Sequence, residues 1–336
     1  NTFETRRDAL RAAEEDAVFL WLEALLDKLD RRAQGYFLHR MQGYIRDTKV
    51  LKETALVRGG ELEVEVLVDT HTLRFDAASL LFPRRTTPVP ALIIMGENAT
   101  GNEGYSTYQD DIAPRMLRKI FRDTGFKVFP ATEVEQFFSH EDLVQCLQEG
   151  RASVTRLGRA MNAEVVVFGE TKSMAEDSED SGPQRVKGFA DVMVIRMSDG
   201  QLMERIKTEA EVEGVDVHAA GLMAIEDAVF KAKNRVLVAA ALACLKEPER
   251  NWLRLTIQGE NVKNVSDGLT EYLGKLESIQ SLELLHRNRD ALIYSVEYSG
   301  KVSALVDTLV NKTKDALKLE PVQIVGNEMI LRLEAY

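Results

Sequence analysis

The sequence predicts a multi-domain protein of mixed α+β and α/β structure, with three modules over residues 1–83, 90–245 and 251–336. A chain of 336 residues is long enough for two or three separate cores. Two breaks divide it, the proline-dense stretch Phe82–Pro90 and the charged stretch Lys246–Arg250. Between the breaks, apolar runs typical of strands alternate with amphipathic segments typical of helices, which is the pattern of mixed α and β layers.

The first module is predicted to contain one long amphipathic helix, a β-hairpin and a short helix. The long helix covers residues 3–35, where apolar residues recur at helical spacing, and Gly35 ends it. Gly59-Gly60 is predicted as the tight hairpin turn, because glycine tolerates positive φ. The predicted elements after the long helix are two strands and one helix: Thr48–Val57, Glu61–Val68 and Asp69–Leu81.

The central module is predicted to run βαβαβ, then a β-hairpin, then a helix. It opens with Ala91–Met95, an unbroken apolar run that suits a strand buried on both faces. A polar insert, Lys172–Lys187, precedes the hairpin, whose turn is Asp199-Gly200. The other elements are a helix, a strand, two helices, a strand, the two hairpin strands and a helix: Tyr108–Thr124, Lys127–Pro130, the span Thr132–Met161, Glu164–Glu170, Phe189–Met197, Gln201–Glu211 and Val217–Leu245.

The third module is predicted to have the order βαββαββ, which suggests a ferredoxin-like split βαβ unit. Its two predicted helices are Ser266–Leu276 and Lys301–Leu317. Its predicted strands are Trp252–Ile257, Ser281–Arg287, Ala291–Tyr298, Val322–Val325 and Met329–Leu333. The sequence therefore predicts a mixed-sheet central module between a small helix-plus-hairpin module and an α+β module.

Charge and hydropathy argue against a nucleic-acid partner and against a membrane-spanning helix. The formal net charge of -11 argues against binding nucleic acid, which requires a basic surface. The longest apolar run, Val236–Leu245, is about half of the roughly 20 residues that a membrane-spanning helix needs. The chain opens on an amphipathic pattern without an initiator Met, so we expect any signal peptide to be absent from this sequence, which is compatible with export.

The two cysteines, Cys146 and Cys244, lie in helix-like segments and have no metal-ligand spacing. In an oxidising compartment they could form a disulfide that closes a loop of about 100 residues, worth on the order of 4 kcal/mol. The alternative is a pair of buried thiols that pack as small apolar groups. The sequence leaves both alternatives open.

Gly96–Gly104 is the strongest candidate for a phosphate-binding loop, because it follows a buried strand and precedes a helix. The glycine spacing fits, but the positions that should be Lys and Ser or Thr are Asn102 and Glu103. Glu97 and Glu103 would also repel a phosphate. We therefore expect a strand-to-helix turn or a partner-binding surface at this loop, and no nucleotide cofactor.

Asp177–Gly182 resembles the first half of a calcium loop, with oxygen-bearing side chains at positions one, three and five and Gly at six. The twelfth position, which should be a bidentate Glu, is Gly188. Pro183 follows at once, and no flanking helices are predicted. We therefore expect a solvated acidic loop and no bound metal.

The remaining chemical motifs are incomplete. A nucleophile elbow would need a second Gly after Gly104-Tyr105-Ser106, and Tyr108 stands in its place. None of the five histidines lies three or four residues from another His or from a Cys; they are His39, His71, His140, His218 and His286. The sequence therefore predicts no catalytic, cofactor-binding or metal-ligating residues.

Four aromatic residues cluster around the first two helices of the central module: Tyr105, Tyr108, Phe137 and Phe138. Aromatic side chains are favoured at protein interfaces, so they are candidates for contact with a partner. Packing in the core of the module is the preferred interpretation.

Several stretches resemble known bacterial envelope proteins. The Ala-rich stretch Arg6–Val18, a strand ending in Tyr44 and the strand Glu61–Asp69 look like the N-terminal module of the FlgT family and related outer-membrane lipoproteins. Ala91–Glu97, Gly125–Phe129 and Met161–Glu170 are similar to the opening, second and third strands of the TolB N-terminal fold. The same fold occurs in FlgT, FlgO and CsgG.

This resemblance implies a non-enzymatic periplasmic protein that builds or stabilises a ring of the flagellar basal body or motor. Its expected partners are other flagellar or cell-envelope proteins and, in a homo-oligomeric ring, further copies of the chain. An outer-membrane association is compatible with it. Two alternatives stay open: an accessory lipoprotein of a secretion or pilus system, and a hydrolase with a carboxylate pair that the sequence does not reveal.

Overall fold

The computed structural model describes most of the chain in two compact units. The described residues are 6–26, 31–56, 59–84, 88–99, 105–107, 111–176, 182–245, 251–260, 262–298, 302–311, 318–325 and 328–333. The first unit is the described part of Asn1–Thr87 and Ala241–Glu247, and the second is the described part of Pro88–Ala240 and Pro248–Tyr336. The structure is mixed α and β with three open sheets, in agreement with the predicted fold class.

The first unit contains three helices and a two-stranded antiparallel sheet. Its elements are α1 (Arg6–Leu25), α2 (Arg31–His39), β1 (Ile45–Leu56), β2 (Gly59–Val68) and α3 (Thr70–Leu81). The prediction of one helix ending at Gly35 is wrong, because Gly35 lies inside α2. The structure describes α1 and α2 on either side of residues 27–30. Helix α2 is held there by the fully buried Phe37 and Ala33, so packing outweighs the poor helix propensity of glycine.

The predicted hairpin is confirmed, with a different turn. Gly59 and Gly60 belong to β2 and pair with Leu56 and Ala55, and the turn residues 57–58 lie outside the described part. Tyr44 does not end a strand, as predicted, but precedes β1 and donates its hydroxyl to Asp76 at 2.7 Å. Asp69 begins α3, since its carboxylate accepts the backbone N–H groups of residues 71 and 72.

The central sheet has the strand order β4-β3-β5-β6-β7, with β3, β4 and β5 parallel and β6 and β7 antiparallel. Its strands are β3 (Val89–Asn98), β4 (Phe126–Val128), β5 (Val165–Ala175), β6 (Gln184–Arg196) and β7 (Leu202–Gly214). Its helices are α4 (Ile112–Asp123), α5 (Ala131–Phe137), α6 (His140–Glu149), α7 (Arg151–Ala160) and α8 (Val217–Ala243). The predicted βαβαβ order followed by a hairpin and a helix is present.

Two details of the central module differ from the prediction. Three helices, not two, lie between β4 and β5, because Ser139 forms a capping box that starts α6 and Gly150 ends it with φ 79°. The polar insert is shorter than predicted, because cross-strand pairing of Ala175 with Val186 extends β5 and β6 into it. The polar insert can form this part of the strands because its charged side chains lie on a face of the sheet that is exposed to solvent.

The two faces of the central sheet carry different helices. Leu92, Ile94, Val166 and Phe168 form a core with residues of α5, α6 and α7. Helix α8 covers β6 and β7 on the opposite face, where a Cβ added to Gly188 would lie 2.2 Å from the carbonyl oxygen of Ala224. The alanines of α8 permit this approach, which brings the Thr208 hydroxyl within 2.7 Å of the Ala228 carbonyl.

The third module has the sheet order β11-β12-β8-β10-β9. Its elements are β8 (Asn251–Gln258), α9 (Ser266–Gly274), β9 (Ile279–Arg287), β10 (Ala291–Tyr298), α10 (Val302–Asn311), β11 (Leu319–Val325) and β12 (Glu328–Leu333). Strand β10 lies between β8 and β9, as in a split βαβ unit. The last hairpin inserts β12 beside β8 in parallel orientation, so the sheet departs from a simple βαββαβ arrangement.

The second and third modules pack together within the second unit. Trp252 of β8 is 4% exposed and belongs to the core cluster of the central module. Helix α7 also contacts β9 and β10. The module boundaries at residues 83–90 and 245–251 stay predictions, and the structure adds that the last two modules share part of one core.

Candidate functional site

The carboxyl ends of the parallel strands β3 and β5 form the best candidate site of the second unit. Ligands of open α/β sheets bind at this edge, because loops after neighbouring strands converge there. Glu97 and Ser106 exchange two backbone hydrogen bonds of 2.8 Å, which bring the described residues 105–107 beside the end of β3. The polar groups gathered here are Glu97, Tyr105, Ser106, Thr107, Asp111, His140 and Glu170.

Glu97 lies at the N-terminus of helix α4. The side chain belongs to a residue that is 5% exposed, and its Oε2 accepts the backbone N–H of Ala113 at 2.9 Å. Burial raises the pKa of Glu97, and the N–H groups of Ala113 and Ile112 lower it and only partly offset that rise. The carboxylate therefore satisfies backbone donors that a bound anion would otherwise meet.

The position of Glu97 argues against the use of Gly96–Gly104 as a phosphate loop. In the sequence Glu97 is only a source of repulsion, whereas in the structure it accepts a backbone N–H from the first turn of a helix, sixteen residues later. Gly96 is closely packed, since an added Cβ would lie 2.5 Å from Leu147 Cδ1 and 3.3 Å from Tyr105 Cδ1. Residues 100–104 lie outside the described part of the chain.

The other polar groups at this edge are also engaged by the chain itself. Ser106 donates its hydroxyl to Asp111 at 2.6 Å, and the Thr107 hydroxyl lies 2.6 Å from His140 Nδ1. Burial and a hydrogen bond to Glu170 raise the pKa of Tyr105 to about 12. Tyr105 is therefore a neutral hydrogen-bond donor at neutral pH.

An open groove of about 740 Å³ runs from Tyr105 along helix α6. Val144 and Leu147 supply its apolar surface, and His140, Gln145 and Gln148 supply polar groups. The groove is shallow and mixed in character, so it suits contact with a protein surface better than enclosure of a small molecule.

A second cavity, of about 240 Å³, lies between α6, α7 and β9. Phe137 packs edge-on against His286 with ring centres 6.2 Å apart. The Arg254 guanidinium lies 5.8 Å from the centre of the same Phe137 ring. Arg156 joins Glu283 across the modules at 3.4 Å.

Cys146 lines this second cavity as a buried free thiol, so the bridge to Cys244 is not formed. Burial raises the pKa of Cys146 to about 11, with smaller contributions from Glu149 and Asp142. A thiol in this state is a poor nucleophile. For Cys146 the arrangement agrees with the second alternative, a buried thiol that packs as a small apolar group.

Two of the predicted aromatic residues pack against the central core. Phe137 and Phe138 are partly buried against it, with ring centres 6.3 Å apart. Tyr105 lies at the edge of the parallel strands instead, and Tyr108 lies outside the described residues. The structure therefore does not gather the four aromatics into one surface.

The remaining predicted motifs fall partly outside the structure. Residues 177–181 of the calcium candidate and Gly104 and Tyr108 of the nucleophile-elbow candidate are not described. Among the residues that are described, no group of three or more His, Cys, Asp or Glu side chains is arranged to hold a metal ion. None of the described helices combines the length and apolar character needed to cross a membrane.

The far half of strands β5, β6 and β7 carries a charged face that the helices α5 to α7 leave exposed. Asp191 binds Arg205 at 2.7 Å and Lys207 at 3.2 Å, and Lys187 binds Glu176 at 2.5 Å. Met174, which is 54% exposed, lies on the same face. The sequence predicts these strands but not their exposed charged face, because that face depends on where helices α5 to α7 end.

Comparison with known proteins gives matches in structure only. No protein family and no curated protein sequence matches the chain. Lipoprotein GNA1162 from Neisseria meningitidis is 14% identical, with 43% of this chain and 96% of that chain covered and a TM-score of 0.30. The C-terminal domain of LpoB from Salmonella enterica is 11% identical, with 41% and 94% covered and a TM-score of 0.25.

The PelC dodecamer from Paraburkholderia phytofirmans is 15% identical to this chain. The match covers 46% of this chain and 86% of PelC, with a TM-score of 0.25. At such low identities and scores, these similarities to a bacterial lipoprotein, to LpoB and to a dodecameric protein carry no argument about function.

Proposed function

We propose that this chain is a non-enzymatic assembly protein of the bacterial cell envelope, which acts by binding other proteins. The observation that carries the proposal is the position of Glu97. Its carboxylate occupies the helix N-terminus where the central fold would hold an anionic substrate or cofactor. The neighbouring polar groups Ser106, Thr107 and His140 are engaged in contacts within the chain.

The exposed charged face of β5, β6 and β7 supports the proposal that the chain binds other proteins. Alternating charges on an accessible sheet face favour selective contact with a partner of complementary charge. Met174 and the half-buried Phe189, with Lys172 Nζ 5.8 Å from the Phe189 ring centre, add apolar area to this face. The groove beside Tyr105 adjoins it through the contact of Tyr105 with Glu170.

The finer proposal is a role in a ring of the flagellar basal body in the periplasm. It is supported by the resemblance of Arg6–Val18 and Met161–Glu170 to patterns of the FlgT and TolB families. The test is a deletion strain of the native host, assayed for motility and by imaging of purified basal bodies. Loss of a periplasmic ring, restored by the wild-type gene, is the expected result.

A Glu97→Gln variant separates assembly from catalysis in the same strain. Glutamine keeps an oxygen that accepts the Ala113 N–H but cannot transfer a proton, so the variant should restore function fully. A Gln variant that is folded and abundant, yet inactive, would show that Glu97 acts as an acid or base. The matched control is Glu135→Gln on the surface of α5, which removes the same charge.

Capture of partners distinguishes the flagellar role from other envelope roles. Cross-linking in intact cells, followed by purification of the tagged chain, should recover basal-body proteins. Recovery of secretion or pilus components with normal motility would overturn the flagellar proposal and retain the assembly role.

A further inference from the structure

The two edges of the central sheet carry opposite charge. Between Ile112 and Phe129, which include α4 and the edge strand β4, the chain has five basic residues and one acidic residue. Between Gln201 and Asp216, which include the other edge strand β7, it has five acidic residues and two basic ones. In a chain with a net charge of -11, the basic edge is a local exception.

The basic edge is open to solvent. Helix α4 packs on β3 and β4 through buried residues such as Leu117 and Phe121. Its opposite side exposes Arg115, Lys119 and Arg122, and Lys127 is exposed on β4. Lys119 and Lys127 form no ion pair with any residue that the structure describes.

The acidic edge keeps a surplus of carboxylates after its internal pairs are counted. Glu209, Glu211 and Glu213 alternate along β7, so they point to the same face, and all three are exposed. The guanidinium of Arg185 is shared between Glu211, at 2.7 Å, and Glu213, at 3.6 Å. Lys187, which pairs with Glu176, also attracts Glu211 and Glu209. The two basic residues of β7 itself, Arg205 and Lys207, are both bound by Asp191.

The strand directions allow one edge to meet the other in a second copy. Strand β7 is antiparallel to β6, and β6 is antiparallel to β5, so β7 runs in the same direction as β4. A second copy placed beside the first in the same orientation would therefore set its α4–β4 edge against β7. Lys231 Nζ donates to the Glu209 carbonyl at 2.8 Å and blocks pairing along the whole strand, so side-chain charges would make the contact.

We infer that copies of this chain associate head to tail, with the basic α4–β4 edge of one copy docked on the acidic β7 edge of the next. Such a heterologous contact leaves a free edge at each end, so repetition builds a ring or an open filament. The inference deepens the proposed assembly role by naming a second copy as a partner. An anionic membrane surface could also attract α4, but the chain itself carries the matching acidic edge.

The test is the state of association of the purified full-length chain, measured by sedimentation velocity at low and high salt. Two double variants each reverse one edge: Lys119→Glu with Lys127→Glu, and Glu209→Lys with Glu213→Lys. Each should raise the dissociation constant on the order of tenfold or more, and wild-type association should weaken with salt. A chain carrying all four changes has complementary edges again and should associate like the wild type.

A control with the same change in net charge as Lys119→Glu with Lys127→Glu is Arg151→Glu with Lys275→Glu, at two exposed positions away from both edges. It should associate like the wild type, and circular dichroism should show that every variant is folded. Rescue by the fourfold variant is the decisive expected result, because generic loss of stability cannot produce it.

Three outcomes would overturn the inference. They are a monomeric wild type at low salt, association that ignores both reversals, and a fourfold variant that stays dissociated. Vesicles containing phosphatidylglycerol form a second arm, since binding to them that is lost with Lys119 and Lys127, without self-association, would assign the basic edge to membranes. A monomer that still restores assembly in the deletion strain would overturn this inference alone and leave the proposed function standing.

Discussion

The Glu97 carboxylate and the Ala113 backbone amide lie 2.9 Å apart and tie the end of β3 to the start of α4. Both groups are buried, so each satisfies the other without help from solvent. A side chain that looks available for chemistry in the sequence is therefore part of the framework of the central module.

Replacement of Glu97 should separate the hydrogen bond from the charge. Glu97→Ala leaves the Ala113 N–H without an acceptor in a buried site and should lower the free energy of unfolding by about 1–3 kcal/mol. Glu97→Gln keeps an acceptor oxygen and should cost less than about 1 kcal/mol. Urea unfolding of the three proteins measures the difference, and equal losses for Ala and Gln would contradict the capping role.

The same residue should make stability depend on pH in a defined direction. Because burial raises the pKa of folded Glu97 above the ordinary glutamate value of about 4.5, the folded state binds this proton more tightly than the unfolded state. This contribution is complete below pH 4.5 and is lost as the pH rises through the folded pKa. The wild type should therefore lose stability relative to Glu97→Gln over that range, and a constant difference between their unfolding curves would refute the expectation.

The contact between α8 and the central sheet should have no room for a methyl group at position 188. Gly188→Ala would place a Cβ 2.2 Å from the backbone of Ala224, so the helix must move, at a cost of about 1–3 kcal/mol or more. Gly268→Ala is the matched control, because its Cβ meets nothing within 4 Å in helix α9. It should be neutral or stabilising by up to about 1 kcal/mol, as measured by thermal unfolding.

The partly buried Arg254 should respond differently to loss of its charge and to loss of its ion-pair partner Glu328. Its guanidinium lies 3.3 Å from Glu328, and burial lowers the pKa of Arg254. Arg254→Met, which removes the buried charge and keeps much of the volume, should be nearly neutral or stabilising. Glu328→Ala leaves the cation without this partner and should destabilise the chain by about 1–3 kcal/mol, and the reverse ranking would contradict the account.

Cys146 should be inert in the folded protein. Its pKa of about 11 leaves very little thiolate at pH 8, and its side chain is buried. In a Cys244→Ser background, alkylation by iodoacetamide should be many-fold slower in the native protein than in urea. Equal rates in both states would show that the thiol is accessible and activated.

The sequence predicted most of the second unit because local signals and packing agree there. The apolar run of β3 and the alternating strands of the β6–β7 hairpin match the structure closely. The secondary-structure prediction is wrong where tertiary contacts determine the structure. Gly35, for example, lies inside a helix because Phe37 and Ala33 of that helix are buried. The start and end of helix α6 were not predicted because they depend on capping interactions at Ser139 and Gly150 that involve only a few residues.

The candidate site was less accessible to sequence reasoning than the fold. Glu97 and Ala113 are sixteen residues apart, and no periodicity links a carboxylate to a helix N-terminus across a loop. The partners of Arg254 lie on β12 and α5, so its buried setting depends on sheet order and module packing. The opposite charges of the two sheet edges were not identified from the sequence, because only the strand order shows that these segments lie at opposite edges of one sheet.

Trp252 has a consequence for the order in which the chain acquires its structure. This indole belongs to the third module in sequence but completes the core of the second. During synthesis the core of the central module therefore lacks one of its side chains, and apolar residues of that core stay exposed until Trp252 has been synthesised. A nascent chain at that stage would present a binding surface for chaperones, and the arrival of β8 would bury it.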